Sequence, residues 1–219
     1  MRTCEYEPAA STVVDSIYRH LAAHQTTADG WPLRDLFEKL HDWAGLFITE
    51  FKLGLEEYAV AVEPLPCHVL GSFRCGYDGR GLKASITLNL LYVLPPRPRP
   101  FWDTLGTLLH ELLHAWQEVY GTRGKGNYHN KEFRDRAFEC GLLIDQHGHQ
   151  NYVPQGRFLR FLEERGVEVP VIDPPKPAPR RTGSSKLKKW SCRCTNVRVA
   201  RKDFSATCNH CAWPFEMSG

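Results

Sequence analysis

The stretch TLLHELLHAWQEVYGTRGKGNYHNKEF, from Thr107 to Phe133, holds three histidines and a glutamate in a spacing that chemistry can use. Leu105, Leu109, Leu112, Leu113 and Trp116, with Trp102 one turn upstream, recur at helical spacing. They predict a helix from Phe101 to Tyr120 that Gly121 stops. Side chains four apart on a helix share a face, so His110 and His114 can offer imidazole nitrogens to one ion, with Glu111 beside them. GTRGKGNY then reads as a loop that lets the chain reverse. A further helix is expected from His129 to Cys140, burying Phe133, Ala137 and Phe138 and ending at Gly141.

A hydrolytic zinc site needs three protein ligands, an open position for water, and a carboxylate to take the water's proton. His110 and His114 supply two ligands, and Glu111 is the expected catalytic base. His129 is the expected third ligand, with Glu132 and Glu139 on the second helix as its rivals. The extended metzincin pattern is excluded, because Gln117 and Tyr120 stand where its glycine and third histidine belong. His147 and His149, in DQHGHQ, read either as exposed loop histidines or as further ligands or transition-state donors. Tyr120, Arg123 and Tyr128 are candidate oxyanion donors.

Upstream, Val13, Val14, Ile17 and Leu21 mark one helix, and the run from Pro32 to Gly54 marks another. The second presents Leu33, Leu36, Phe37, Leu40, Trp43, Leu46 and Phe47 on one broad face. YAVAVEPL, CHVLGSFRCGYDGRGL and KASITLNLLYVL read as two or three strands, the last with Ile86, Leu88 and Leu90 in alternation. PPRPRP breaks the chain before the histidine helix, and RFLRFLEERG suggests a last short helix. Helices with a small, mainly antiparallel sheet make an α+β body.

The 219 residues are 42% hydrophobic and 24% charged, enough apolar material for one ordinary core and an appendage. The expected division is a tail over residues 1–10, a main domain over 11–167, a proline-rich basic linker over 168–189, and a small module over 190–219. The opening MRTCEYEPAAST lacks the apolar segment of a signal peptide, and LNLLYVL ends at prolines well short of a membrane span. A cytoplasmic, nucleoid-associated (or nuclear) protein with no membrane partner is therefore expected.

Of the eight cysteines, Cys192, Cys194, Cys208 and Cys211 lie in the last thirty residues or so. Cys-x-Cys followed by Cys-x-x-Cys suits a closed tetrahedral zinc, which would staple a module too small to fold round an apolar core. His210 is a spare donor between the last two. Cys4, Cys67, Cys75 and Cys140 are expected to be incidental or buried thiols.

Charge is uneven as well. From Lys176 onward there are ten Lys/Arg against Asp203 and Glu216, a balance of +8, while the rest of the chain carries −5. Lys188, Lys189, Arg193, Arg198, Arg201 and Lys202, interleaved with Trp190, Phe204 and Trp213, are the expected nucleic-acid contacts. Their chemistry suits backbone-dominated, salt-sensitive binding.

GYDGRGLKASITLNLLYV, TLLHELLHAW and YHNKEF together resemble the SprT-like zinc metalloprotease family, of the Spartan type. The likeness covers Cys75 to Gly141, and more loosely LFEKLHDWAGLFITEF. WSCRCTNVRVARKDFSATCNHC looks like the zinc ribbon that follows this domain in many members. The resemblance implies a zincin-like domain over 11–167, with a catalytic zinc on His110, His114 and His129 and with Glu111 as base. It also implies a DNA-activated endopeptidase whose partners are single-stranded or junction-containing DNA and whose substrates are DNA-bound or DNA-crosslinked proteins. A protease of one regulator without DNA dependence, or a non-enzymatic nucleic-acid-binding zinc protein, are the alternatives.

Overall fold

The computed structural model describes residues 16–56, 58–79, 81–126, 128–172 and 187–218. Val13, Val14, Cys4 and most of the proline-rich basic stretch lie outside them. The chain divides into two compact units, Met1–Pro174 and Pro175–Gly219.

In the first unit, Ser16 caps α1 (Ile17–Thr27), its side chain accepting from the Tyr18 amide. Helix α2 spans Arg34–Glu50 and buries Phe37, Leu40, Ala44 and Phe47. Leu46, expected on the same face, is 37% exposed, because the buried stripe is narrower than the sequence pattern implied. The strands are β1 (Ala59–Glu63), β2 (Gly71–Cys75) and β3 (Ala84–Asn89), in the order β1-β3-β2. β2 runs antiparallel to β3, whereas β1 runs parallel to it. The sheet is thus mixed, though most strand pairs in the described chain are antiparallel. At the end of β3 the buried Asn89 amide donates to the Leu65, Pro66 and Val69 carbonyls and accepts from the Leu91 amide. That turns the chain into α3 (Leu90–Val93).

Helix α4 (Phe101–Tyr120) is the centre of the unit. It packs on α2, on β2 and β3, and on α5 (Lys131–Cys140), so almost every residue from Thr104 to Leu113 is buried. Leu105, Leu108, Leu109, Leu112 and Leu113 are wholly enclosed. Each such leucine contributes about 1.5–3 kcal/mol of burial. Behind α4, Trp43, Phe47 and Phe51 on the α2 side meet Phe158 and Phe161 of α6 (Arg157–Glu163).

Helix α5 begins two residues later than the sequence pattern suggested. Asn130 is its cap, accepting from the Phe133 amide at 3.0 Å, and His129 precedes it in the loop. Its buried side chains are Phe133, Ala137 and Cys140. Phe138 is 58% exposed, a correction that follows from helix geometry, since residue 138 sits about 100° round from Ala137. Gly141 ends the helix at φ 99°, where a Cβ would come within 2.7 Å of the Phe158 amide nitrogen. A two-stranded hairpin follows, β4 (Leu142–Ile144) with β5 (Gln150–Tyr152). The body does not stop at residue 167, because Val167, Val169 and Ile172 still pack on its core.

The second unit is a small sheet of β6 (Lys188–Ser191), β7 (Asn196–Val199) and β8 (Glu216–Met217), in the order β7-β6-β8. Lys188 and Lys189, expected in the linker, belong to this sheet. Among its described residues only Trp190 and Cys208 are buried. Among the described residues, no helix is long and apolar enough to cross a membrane.

Candidate metal centre

His110 and His114 project from one face of α4, and His129 is delivered by the loop before α5. Their Nε2 atoms form a triangle: 3.2 Å between His110 and His114, 3.0 Å between His110 and His129, and 3.1 Å between His114 and His129. Each nitrogen is either a donor or an acceptor, so in a ring of three at least two play the same role. Hydrogen bonding alone cannot satisfy all three contacts.

The role of His110 is set from outside the triangle. Its Nδ1 lies 3.0 Å from Gln150 Oε1, a carbonyl that only accepts, so Nδ1 carries the proton and Nε2 is left with a lone pair. Gln150 is held in turn, its amide nitrogen donating to the Tyr152 hydroxyl at 3.0 Å. Tyr152 donates to Asp103 Oδ1, and Arg99 bonds the other Asp103 oxygen and Thr107. Gly106 makes room for this chain, since a Cβ there would lie 2.3 Å from the Tyr152 hydroxyl.

His129 is fixed from two sides. Its amide donates to the Gln146 carbonyl at 3.1 Å, and Gly148, at φ 87°, lies against its ring. A Cβ at Gly148 would come within 2.8 Å of His129 Cε1. From the other side, Gln117 on α4 donates to Asn130 Oδ1 at 2.9 Å, and Asn130 donates to the Thr122 carbonyl. Phe133 walls the triangle, stacking on His114 at 4.3 Å between ring centroids and meeting His129 edge-on.

Electrostatics favour neutral imidazoles. Burial, with His129 alongside, lowers His110 to about 4. Burial and the charges of His110, His129 and Arg123 lower His114 to about 2. Glu111 is also enclosed, and burial raises its carboxyl to about 8, against the pull of the Phe73 amide that it accepts from. The close approach of β2 to this carboxyl needs Gly71, where a Cβ would stand 3.0 Å from Glu111 Oε1.

All four groups open on a cleft of about 710 Å³, lined also by Leu70 to Phe73, Arg123, Tyr128, His147 and His149. Glu132 and Glu139, the rival ligands, are elsewhere: Glu132 accepts from the Thr122 amide and Glu139 pairs with Arg136. Tyr120 donates to the Gly54 carbonyl and does not line the cleft.

In the second unit, Cys192, Cys194, Cys208 and Cys211 bring their sulfurs within 4.8 Å of one another. Cys194 Sγ is 3.5 Å from both Cys192 Sγ and Cys208 Sγ. The amides of Cys211 and His210 point at Cys208 Sγ and lower its thiol to about 6, whereas hydrogen bonds with the Cys211, Cys192 and Cys208 thiols raise that of Cys194. His210 is exposed and lies outside this cluster. Among the described residues there are therefore two groups able to hold a metal ion, one of three histidines and one of four cysteines.

Lys188, Lys189, Arg193, Arg198, Arg201 and Lys202, the expected nucleic-acid contacts, are all exposed. Lys189 stands directly opposite Arg198 in the β6–β7 register. Arg193 lies over the Trp213 ring at 3.2 Å, while Arg201 is engaged by Asp203 at 2.9 Å. Trp190 and Phe204 are not available for stacking on a ligand, since they pack on each other and Phe204 meets Phe215.

Gln150, Gly148, Asn130 and Gln117 position the histidines without any pattern that marks them in the sequence. Only the nearness of Gln150 to His147 and His149 hinted at its place. No family model matches the chain, and no curated protein or solved structure is found to be similar to it.

Proposed function

We propose that this protein is a zinc endopeptidase of the SprT-like kind, activated by DNA and acting on DNA-bound or DNA-crosslinked proteins. The observation that carries the reading is the triangle of imidazole nitrogens beside a buried carboxyl, at the edge of a sheet. Tetrahedral nitrogen ligands about 2.0–2.1 Å from zinc lie roughly 3.3–3.4 Å apart, a few tenths beyond the spacing of the three Nε2 atoms. The donor set fits the ion. His110, His114 and His129 would hold it, leaving a position open towards the cleft, and it would supply Lewis acidity towards water and the scissile carbonyl.

The protein's own groups do the rest. β2 is an outer strand of its sheet and lines the cleft, so an extended peptide can lie along it. The Phe73 amide orients the Glu111 carboxyl. A dication alongside favours its ionised, proton-accepting form, countering the effect of burial. Glu111 takes a proton from water as the water oxygen bonds to the carbonyl carbon. It returns that proton to the nitrogen as the carbon–nitrogen bond breaks.

The four cysteines suit a structural zinc, closed and without an open position. On the sheet that it staples, Lys189 facing Arg198 is a like-charge pair that costs stability and that a polyanion relieves. Together with Lys188, Arg193 and Lys202 it supports a phosphate-backbone contact, weakened by salt.

The test is cleavage of protein substrate, and of the chain itself, by wild type and Glu111→Gln, with and without single-stranded DNA. Cleavage by wild type alone, and only with DNA, is expected, with zinc content equal in both. Cleavage by Glu111→Gln overturns the catalytic assignment. Wild-type cleavage that ignores DNA removes DNA from the proposal and leaves a peptidase.

A further inference from the structure

The turn between β4 and β5 carries a dyad that the mechanism above does not use. His149 Nδ1 lies 2.8 Å from Asp145 Oδ2. The other carboxylate oxygen, Oδ1, accepts the His147 amide at 2.8 Å and the His149 amide at 3.0 Å. The carboxylate is therefore tied to the backbone that carries the imidazole, and it holds the Nδ1 edge of a ring whose side chain is otherwise 79% exposed. Its two chain neighbours touch different members of the triangle: Gly148 lies on the His129 ring, and Gln150 bonds His110. His149 thus sits between the two residues that grip the histidines, and it lines the same cleft as Glu111.

We propose that His149, aimed by Asp145, is a further catalytic residue, donating a hydrogen bond from Nε2 to the oxygen of the peptide carbonyl under attack. This rests on the reading of the cleft as a peptidase site. With Nδ1–H committed to the Asp145 carboxylate, the form of the ring that donates from Nε2 is the one carrying a proton on each nitrogen. The hydrogen bond from His149 holds the Asp145 carboxyl well below its usual range, at about 2, so the partner stays ionised wherever the reaction runs. When water bonds to the carbonyl carbon and Glu111 takes its proton, the carbonyl π pair moves onto oxygen, and the His149 Nε2–H meets the charge there. Collapse restores the carbonyl and expels the amine, which receives the proton from Glu111. The imidazolium ends the cycle unchanged. Atoms and charge balance as peptide plus water giving acid plus amine.

The experiment uses the full, zinc-loaded chain and initial rates of cleavage of an unfolded, fluorescence-quenched polypeptide, measured against its concentration in the presence of single-stranded DNA. His149→Ala is expected to lower kcat about 100-fold, as loss of one oxyanion donor does, with KM within about threefold of wild type. Zinc content and circular dichroism should match wild type. His149→Gln, which restores a neutral donor, should recover part of the loss. Asp145→Asn keeps an acceptor for Nδ1 but removes the charge, and should lower kcat about tenfold.

Unchanged kcat in His149→Ala, with wild type active and Glu111→Gln inactive, overturns the proposal and leaves the peptidase reading intact. A loss of zinc in His149→Ala at normal fold also overturns it, since the residue would then serve the ion. If wild type and Glu111→Gln are equally inactive, the peptidase reading falls and the dyad's role falls with it.

Discussion

Gln150 shows how much a single uncharged side chain decides. By accepting from His110 Nδ1 it turns the lone pair of Nε2 towards the other two histidines. Groups of this kind, bonded behind a ligand, are worth about 10–100-fold in metal affinity when removed. Gln150→Leu should therefore weaken zinc at the histidine site by that factor in competition with a chromophoric chelator, while the cysteine site holds its metal unchanged. An equal loss at both sites would mean general unfolding instead. Gly148 acts by its absence of a side chain. Ala at φ 87° is strained, and its methyl would press on His129 Cε1, so Gly148→Ala should release zinc from the triangle although it adds only one carbon.

Among the elements, the turn from α4 into α5 is held by capping. Asn130 closes the first turn of α5, accepts from Gln117 and bonds the Thr122 carbonyl. Asn130→Ala should cost about 1–2 kcal/mol of stability by loss of the cap, read by urea unfolding, and should loosen His129 beside it. This level also separates what the sequence displayed from what it hid. The long helices were legible because their periodicity extends over several turns: Phe101–Tyr120 matches residue for residue, and His110 with His114 follows from helix geometry alone. The pair β4 and β5 was not legible, because three residues are too few to show alternation. The start of α5 was read at His129 because an asparagine cap beside a histidine has no periodic signature. The loop placement matters chemically, since it frees His129 to approach from a direction that a residue inside α5 could not take. Parallel pairing of β1 with β3 was hidden too, for pairing direction leaves no mark in either strand alone.

At the scale of the whole molecule, the two units draw on different sources of stability. The body has an enclosed core of leucines and phenylalanines, whereas the second unit buries only Trp190 and Cys208 among its described residues. A strong chelator should therefore unfold residues 187–218 and spare the body. Amide spectra would show the signals of the second unit collapsing to random-coil positions while helical circular dichroism persists. Acid acts the other way. In the metal-free chain His110, His114 and His41 are all lowered from 6.5, mainly by burial. Groups whose folded value is depressed leave the unfolded chain binding more protons, so their stability is present above about 6.5 and is lost as pH falls towards their folded values. Glu111 has the opposite sign: raised from 4.5 to about 8, it contributes stability below 4.5 that is lost as pH rises through about 8. Three histidines outweigh one carboxyl between pH 6.5 and 4.5. The metal-free body should accordingly become less stable over that window in urea titrations, and a flat profile would contradict the buried, neutral state of these rings.

The turn from Asp145 to Gln150 has a consequence for how this chain can vary. Surface loops ordinarily accept extra residues at little cost. Here Gly148 and Gln150 must meet two different histidines at once, and successive residues of a strand point to opposite faces. A single inserted residue would carry Gln150 away from His110, or Gly148 away from His129. The segment works as a gauge of fixed length, so tags, grafts and insertions belong elsewhere on this protein's surface, however exposed that turn looks.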